Sequence, residues 1–322
     1  MATKIEWVRS EDGTAGKTWN PVVGCSRVSP GCDHCYAIRQ AERIVAMGGK
    51  AAAAYEGTVA DGDWTGVVRC LPERLGQPQR WRKPARVFVN SMSDLFHPAV
   101  PAEFIHAVWQ SMANSPQHTF QILTKRPQQM REWVNEWKPV PLPNVWLGVS
   151  IESDRYSWRA DHLRRTPAAV RFISAEPLIG PTRSLDLAGI DWVIAGGESG
   201  PGARPMHPAW ARDLRDRSTA AGAAYFFKQW GQWRPLGPLY DADAGDDPEY
   251  SEEADLARSD AAGLATDYGD DRVALVERSG AIQYMDRQEY QPGRGTWLMF
   301  RVGRKRDAGR LLDGRTWDEM PR

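Results

Sequence analysis

Three of the four cysteines, Cys25, Cys32 and Cys35, lie within eleven residues and have the spacing Cys-x6-Cys-x2-Cys. Thiolates two residues apart can bind one metal ion or one cluster, and the longer gap lets the first cysteine fold over from the far side. The surrounding loop is rich in Gly, Ser, Pro and Asp, which argues against three unrelated core cysteines. The spacing therefore predicts a metal or cluster site.

Two kinds of site remain open at this point. A structural zinc ion needs four protein ligands, and the candidates for the fourth are His34, His97 and Cys70. His34 lies between two of the cysteines, where its ring points away from a shared metal. Cys70 lies on a separate segment, where a buried apolar role is typical. An iron–sulfur cluster held by three cysteines instead leaves one iron open for a substrate or cofactor.

The compartment decides whether these thiols stay reduced. No apolar run approaches membrane-spanning length, and the first residues lack the apolar stretch of a secretory signal. We therefore expect a cytoplasmic protein without a membrane partner. In that compartment cysteines bind metal or carry out redox chemistry more often than they form disulfides.

The formal net charge of zero hides an uneven distribution of charge. Residues 241–271 hold twelve acidic side chains and one basic one, so the rest of the chain has 40 basic and 29 acidic residues, a net charge of +11. This Gly-, Ala- and Asp-rich segment predicts a disordered surface insertion. Occupation of a basic groove as a mimic of nucleic acid is the alternative, and a solvated loop is the simpler expectation.

Between residues 85 and 230, short β-branched or aromatic runs alternate with stretches of helical period. The predicted strands are 86–91, 119–125, 144–150, 170–176, 192–198 and 224–229, with a further candidate at 17–24. The predicted helices are 101–114, 127–137, 154–165 and 208–222. This alternation predicts an α/β fold with a parallel sheet, open or closed into a barrel, in a main domain of residues 1–230.

The alternation stops near residue 231. Residues 231–322 contain the acidic segment, two predicted strands (281–286 and 296–303) and a basic end. We interpret them as a C-terminal extension that packs on the main domain.

Every predicted strand of the main domain ends in polar or charged residues, among them Asp94, Glu176 and Glu198. Because the carboxyl ends of parallel strands form the edge where ligands bind, we expect these side chains to converge on one site. Lys125 and Lys228, at two of the ends, suit phosphate or carboxylate groups.

The segment GGESG places a glycine pair, Gly196 and Gly197, directly before Glu198. Two residues without side chains let a ligand approach the backbone closely, and Glu198 can accept hydrogen bonds from a ribose or an amino group. A tight turn that needs positive φ is the alternative interpretation of the pair.

Eight motifs occur together in this sequence: WNPVVGCSRVSPGCDHCYA, FVNSMSDLFH, LTKRP, GVSIE, SAEPL, IAGGESG, FFKQWG and GRLLDGRTWDEMP. Together they resemble an uncharacterised phage protein family named for gene products 37 and 68, over most of the chain outside the acidic segment. That family in turn resembles the radical S-adenosylmethionine superfamily.

The resemblance implies a partial parallel (β/α) barrel of the radical S-adenosylmethionine type, with a [4Fe-4S] cluster on Cys25, Cys32 and Cys35. An electron donor and S-adenosylmethionine complete such a system, and His34 takes the place of the aromatic residue beside the adenine. The superfamily spacing is Cys-x3-Cys-x2-Cys, so the first gap here is longer. Ser91 and Asp94, in the segment SMSD, stand where the superfamily has Gly-Gly-Glu.

Nucleic acid, DNA or RNA, is the expected partner. Trp230 and Trp233 follow a predicted strand end, where an indole can stack on a base, and residues 301–310 are basic. Three functions from different classes then follow. One is a radical enzyme that modifies or repairs nucleic acid or a nucleotide, and another is a zinc-stabilised nucleic-acid-binding protein without catalysis. The third is a metal-dependent nuclease or hydrolase that uses Asp94, Glu176 and Glu198.

Overall fold

The computed structural model describes residues 2–10, 13–238, 272–284 and 295–321. Its strands are β1 (Lys17–Trp19), β2 (Val22–Val23), β3 (Val59–Ala60), β4 (Asp63–Trp64), β5 (Arg69–Cys70), β6 (Arg86–Val89), β7 (Thr119–Thr124), β8 (Val145–Ser150), β9 (Val170–Ala175), β10 (Trp192–Gly196), β11 (Ala224–Gln229), β12 (Trp233–Pro238), β13 (Val273–Val276), β14 (Ile282–Tyr284) and β15 (Trp297–Arg301). Its helices are α1 (Tyr36–Met47), α2 (Gly49–Tyr55), α3 (Ala102–Ala113), α4 (Pro127–Trp137), α5 (Arg159–Arg164), α6 (Pro208–Ala220) and α7 (Lys305–Ala308). The predicted acidic insertion at 241–271 lies outside the described residues.

Seven strands form one parallel sheet in the order β1-β6-β7-β8-β9-β10-β11, which curls into a half-barrel. Apart from an excursion between β1 and β6, neighbours in the sheet are neighbours in the chain. A helix connects four of these five pairs, whereas β9 and β10 are joined without one. The predicted α/β class and parallel sheet are therefore confirmed. The six strands predicted between residues 85 and 230 end up to two residues before their predicted ends, because the polar residues there already belong to the loops. The candidate at 17–24 is divided into β1, in the parallel sheet, and β2, which pairs with β5.

The helices agree with the prediction at 127–137 and shorten slightly at 101–114 and 208–222. The predicted helix at 154–165 is wrong in its first half, where a short 3-10 turn (Asp154–Tyr156) precedes α5. The reason is that Asp154 is tied to a neighbouring loop. Its backbone N–H donates to Pro181 O at 2.7 Å, and its carboxylate accepts from Ser184 N at 2.7 Å.

Side chains alternate between the two faces of the sheet along each strand. On the outer face, residues such as Ile122 and Leu147 share one core cluster with Met112 and Trp133 of the helices. The amino end of the inner face is aromatic, and its buried residues are Phe88, Phe172, Trp192, Ile194 and Phe226. Trp7 inserts among them from the N-terminal segment, with its ring centroid 4.9 Å from that of Phe88 and 6.1 Å from that of Trp192.

Further along the same strands the inner face becomes polar. The residues two positions after Phe88, Phe172 and Phe226 belong to the same face of the sheet. They are Asn90, Ser174 and Lys228. The half-barrel is thus closed by aromatic packing at its amino end and presents polar groups at its carboxyl edge.

The excursion between β1 and β6 carries the cysteines. It contains β2, the cysteine loop (residues 24–35), α1, α2 and the short strands β3 to β5. An isolated parallel bridge between Gly24 and Ser93 fixes the start of the loop beside the end of β6. The loop therefore lies at the carboxyl edge of the sheet. The sequence pattern did not predict α2 or the strands β3 to β5.

The C-terminal extension forms a four-stranded antiparallel sheet in the order β12-β15-β13-β14. The two predicted strands correspond to β14 and β15. Trp230 and Trp233 are 5% and 1% exposed, and their indole N–H groups donate to Leu311 O and Ala203 O. The prediction that these two rings stack on a base is therefore wrong, because the extension covers them. Within the described part of the chain, no helix is both long enough and apolar enough to cross a membrane.

Candidate functional site

A cavity of about 820 Å³ lies at the carboxyl edge of the parallel sheet. Ligand pockets typically measure about 300–1,000 Å³, so this one can hold a cofactor together with part of a substrate. The cysteine loop forms one side of it and the strand ends form the other. The lining includes Cys25, Cys32, His34, Cys35, Ser91, Asp94, Glu176, Gly197 and Glu198, which the sequence had singled out.

The three cysteines reach the cavity from successive parts of one loop. Cys25 follows β2, Cys32 ends a 3-10 turn, and Cys35 precedes the first residue of α1. All three are free thiols. Burial raises the pKa of Cys25 to about 12, with Asp94 adding to the effect and Arg126 opposing it. Burial likewise raises the pKa of Cys35, so a cationic metal or cluster is the partner that would stabilise these two thiolates.

Arg126 is the second residue after β7, and it links Cys25 to the sheet. Its Nη1 donates to Asp94 Oδ2 at 3.1 Å and to Cys25 Sγ at 3.7 Å. Its Nη2 donates to the carbonyl and the hydroxyl of Ser26, both at 2.9 Å. Burial opposes the charge on Arg126, but Asp94 and Cys25 together outweigh burial, and the pKa of Arg126 is raised. A buried guanidinium beside a thiol favours negative charge on the sulfur.

Asp94 lines the cavity, but both of its carboxylate oxygens are occupied by the protein. Oδ1 accepts from Phe96 N at 3.0 Å and from the Thr124 hydroxyl at 2.7 Å. Oδ2 accepts from Lys125 N and Arg126 Nη1, both at 3.1 Å. Asp94 thus joins the ends of β6 and β7 and orients Arg126, rather than presenting a free carboxylate to a ligand.

His97 and Cys70 were two candidates for a fourth zinc ligand. In the structure His97 is hydrogen-bonded within the protein, and Cys70 lies outside the cavity lining. His97 Nδ1 accepts from Ala99 N at 3.1 Å, so Nε2 carries the proton and donates to the Ser26 hydroxyl at 2.8 Å. Burial, with Arg126 nearby, lowers the pKa of His97 and keeps the ring neutral. Cys70 pairs with Val22 between β5 and β2 and is absent from the cavity lining.

Cys25, Cys32 and Cys35 all line one cavity. Among the described residues, no group of three or more His, Cys, Asp or Glu side chains is arranged to hold one metal ion. Zinc binds sulfur at about 2.3 Å and needs its ligands gathered around one ion. The described residues therefore present three cysteines on one cavity without a preformed site for a single metal ion.

Glu152, which follows β8, is fully buried beneath the cysteine loop. Oε1 accepts from the Ser29 hydroxyl at 2.6 Å and from Lys125 Nζ at 2.9 Å, and Oε2 accepts from Arg159 Nη1 at 2.9 Å. Burial opposes its ionisation, but Lys125, Arg159 and the Ser29 hydroxyl together outweigh burial and hold the pKa of Glu152 below its ordinary value. Gly31 of the loop packs on this carboxylate, since a Cβ there would lie 2.5 Å from it. Glu152 was a predicted strand end, but nothing in the sequence set it apart as the anchor of the loop.

Glu176 and Lys228 form an ion pair across the sheet edge. Lys228 Nζ lies 2.9 Å from Glu176 Oε1, and the Ser174 hydroxyl donates to Oε2 at 3.3 Å. The carboxylate also explains Gly196, because a Cβ there would lie 2.6 Å from Oε1. A Cβ at Gly197 would lie 2.0 Å from Trp230 O. Neither glycine has positive φ, so close packing of the protein's own atoms accounts for the pair, not a left-handed turn.

Glu198 is held by Arg204 in a two-point contact. Arg204 Nε donates to Oε2 at 2.8 Å and Nη2 donates to Oε1 at 2.6 Å, while the same Nη2 donates to Pro30 O at 2.8 Å. His34 packs on the next turn, where a Cβ at Gly202 would lie 2.6 Å from its ring. The GGESG loop and the cysteine loop are therefore joined through Arg204, a residue that no sequence pattern had indicated.

Comparison with known proteins gives a family without an assigned role. A family described as "Protein of unknown function (DUF5131)" matches residues 2–321. No curated protein and no solved structure matches the chain.

Proposed function

We propose that this chain, which belongs to the DUF5131 family of proteins of unknown function, is a radical S-adenosylmethionine enzyme that acts on nucleic acid or a nucleotide. One observation carries the proposal: Cys25, Cys32 and Cys35 line a single cavity at the carboxyl edge of a parallel half-barrel. Parallel α/β folds bind their ligands at that edge. The resemblance of the cysteine loop to that of radical S-adenosylmethionine enzymes supports the same function.

The residues present fit a [4Fe-4S] cluster by their donor chemistry. Cys25, Cys32 and Cys35 would hold it, and the remaining space of the cavity would take S-adenosylmethionine. When bound, the cluster supplies the electron that splits S-adenosylmethionine into methionine and a carbon radical able to remove a hydrogen atom from a substrate. No further protein ligand is required, which agrees with the engagement of His97 elsewhere.

The chain's own residues supply charge balance around the thiols. Arg126 donates to Cys25, and the neighbouring Lys125 favours the thiolate of Cys35. Two consecutive residues after β7 therefore place a cation beside each of two sulfurs. Positive groups at this position would stabilise the added negative charge of a bound cluster.

Loop position and water exclusion come from other residues. Glu152 holds the cysteine loop through Ser29, and Arg204 holds it through Pro30. Beneath the cavity, Trp7 and Phe88 close the half-barrel with packed rings. A rigid loop over a closed floor limits the entry of water and of oxygen, against which a radical site must be protected.

Spectroscopy of the reconstituted protein tests the proposal. The protein would be purified without oxygen, supplied with iron and sulfide, and studied by absorption and electron paramagnetic resonance with and without S-adenosylmethionine. We expect a reducible [4Fe-4S] signal that shifts when S-adenosylmethionine is added. The signal should vanish in Cys25→Ala, Cys32→Ala and Cys35→Ala.

Cys70→Ala is the matched control, because Cys70 is outside the cavity lining and its loss should leave the signal intact. A colourless protein that holds one tightly bound zinc ion would overturn the proposal and favour a zinc-stabilised binding protein.

A further inference from the structure

The cavity opening exposes an aromatic ring that the proposed chemistry does not use. Tyr36, the first residue of α1, lines the cavity and is 52% exposed. Its hydroxyl donates to Ser91 O at 2.6 Å, which fixes the ring. Val28, 40% exposed, and Trp64 line the same cavity. A ring already held in place is a stacking platform for a planar group, since little side-chain freedom remains to be lost.

Cations line the same cavity near its surface. Lys4, Arg39 and Lys305 are exposed members of the lining. Among the residues that the structure describes, neither Lys4 nor Arg39 has a carboxylate within 4.0 Å, and Lys305 has only Glu6 at 3.9 Å. Such weakly paired cations are available to phosphate groups, which contribute most of the affinity in nucleic-acid binding.

Inside the cavity, Asn90 has an amide donor without a partner. Its Oδ1 accepts from Val22 N at 3.3 Å, which sets the orientation of the amide. Its Nδ2 has no hydrogen-bond partner, although Asn90 is only 2% exposed. A buried donor left unpaired destabilises the protein, so a ligand acceptor at this position would remove that cost. The carbonyl oxygens and ring nitrogens of nucleobases are acceptors of this kind.

We infer that the cavity opening binds single-stranded nucleic acid, with one base stacked on Tyr36 and the flanking phosphates against Lys4, Arg39 and Lys305. A base that enters the cavity would then meet the free amide N–H of Asn90. A duplex does not suit this site, because its base faces are covered by their neighbours and are not available to Tyr36. The inference rests on the proposed function and names its substrate class.

Binding of short fluorescent oligonucleotides, followed by anisotropy on the full chain with and without a reconstituted cluster, tests the inference. We expect single-stranded DNA or RNA to bind more tightly than a duplex of the same sequence. Tyr36→Ala should weaken binding about 10-fold or more, whereas Tyr36→Phe should change it less than about 2-fold. Arg39→Ala should weaken binding and reduce the slope of log affinity against log salt by about one.

Arg165→Ala is the matched control, because Arg165 is an exposed cation at the end of α5 outside the cavity lining. Equal binding by Tyr36→Ala and wild type, equal binding of duplex and single strand, or no binding at all would overturn the inference. Thermal unfolding of each variant separates lost binding from lost folding. Since anisotropy needs no cluster, binding by a protein that never assembles one would reject the proposed radical enzyme and leave this inference standing.

Discussion

The two ends of the half-barrel's inner face differ in chemistry although they share the same strands. At the amino end, Phe172 and Phe226 belong to a buried aromatic cluster around Trp7. Two residues further along each strand, Ser174 and Lys228 face a cavity. One region is apolar and closely packed, and the other contains ion pairs and thiols. The comparison indicates that the aromatic end contributes stability while the carboxyl edge provides the candidate site.

The ion pairs of the carboxyl edge are consistent with that division. Burying a charge pair is often neutral or unfavourable compared with apolar packing, but removing one partner leaves the other charge buried and unpaired. The pairs of Glu152, Glu176 and Glu198 therefore argue for a defined geometry rather than for high stability.

The largest expected effect is at the aromatic end. Phe172→Ala should lower the free energy of unfolding by about 3–5 kcal/mol, because the ring is fully buried and its loss leaves a cavity beside Trp7 and Trp192. Guanidinium-induced unfolding measures this change. Trp158→Ala, at a ring that is 45% exposed, should change the same quantity by less than about 1 kcal/mol. Similar losses of unfolding free energy in both variants would contradict the conclusion that the aromatic end contributes stability.

Glu152→Gln should have the next largest effect, about 2–3 kcal/mol at neutral pH, because Lys125 and Arg159 lose a buried partner. The pKa of Glu152 lies below its ordinary value of 4.5, so the folded state stays ionised where the unfolded chain takes up a proton. This contribution is present above that pH and is lost as the pH falls below it.

Urea unfolding of wild type and Glu152→Gln across this pH range checks the sign. The difference between the two proteins should shrink as the pH falls below about 4.5. A difference that grows on acidification would contradict the assignment of Glu152 as an ionised anchor.

Arg204→Ala should loosen the cysteine loop with a smaller effect on global stability. Arg204 joins Glu198 to Pro30 and Asp33, so its removal frees one side of the loop. We expect amide hydrogen exchange in residues 26–35 to become about 10-fold faster. Arg212→Ala, which breaks an exposed pair with Asp313, is the control and should leave exchange in this loop unchanged.

The smallest effect is expected at an ion pair outside both regions. Arg164 pairs with Asp161 and Asp186, whose side chains are 57% and 64% exposed. Arg164→Ala should therefore change the free energy of unfolding by no more than about 1 kcal/mol, and less at high salt. A loss as large as that of Glu152→Gln would remove the distinction between buried and exposed pairs.

The local sequence pattern was sufficient to predict much of the architecture. Runs such as 119–125 and 224–229 become strands because their β-branched and aromatic residues fit a buried sheet, and 127–137 becomes a helix because its apolar residues recur with helical period. The cysteine spacing and the polar strand ends are likewise local features, so their placement on one edge follows from a parallel sheet.

Only the tertiary structure determines which of those polar residues contact one another. Ser29 meets Glu152 across 123 residues of chain, and Pro30 meets Arg204 across 174, so no local pattern records either contact. The burial of Trp233 likewise depends on the antiparallel sheet to which it belongs. Spacing along the chain determines secondary structure and the types of group available, because those depend on near neighbours. Partners and exposure depend on distances in space, which exist only after the sheet has curled and the extension has packed.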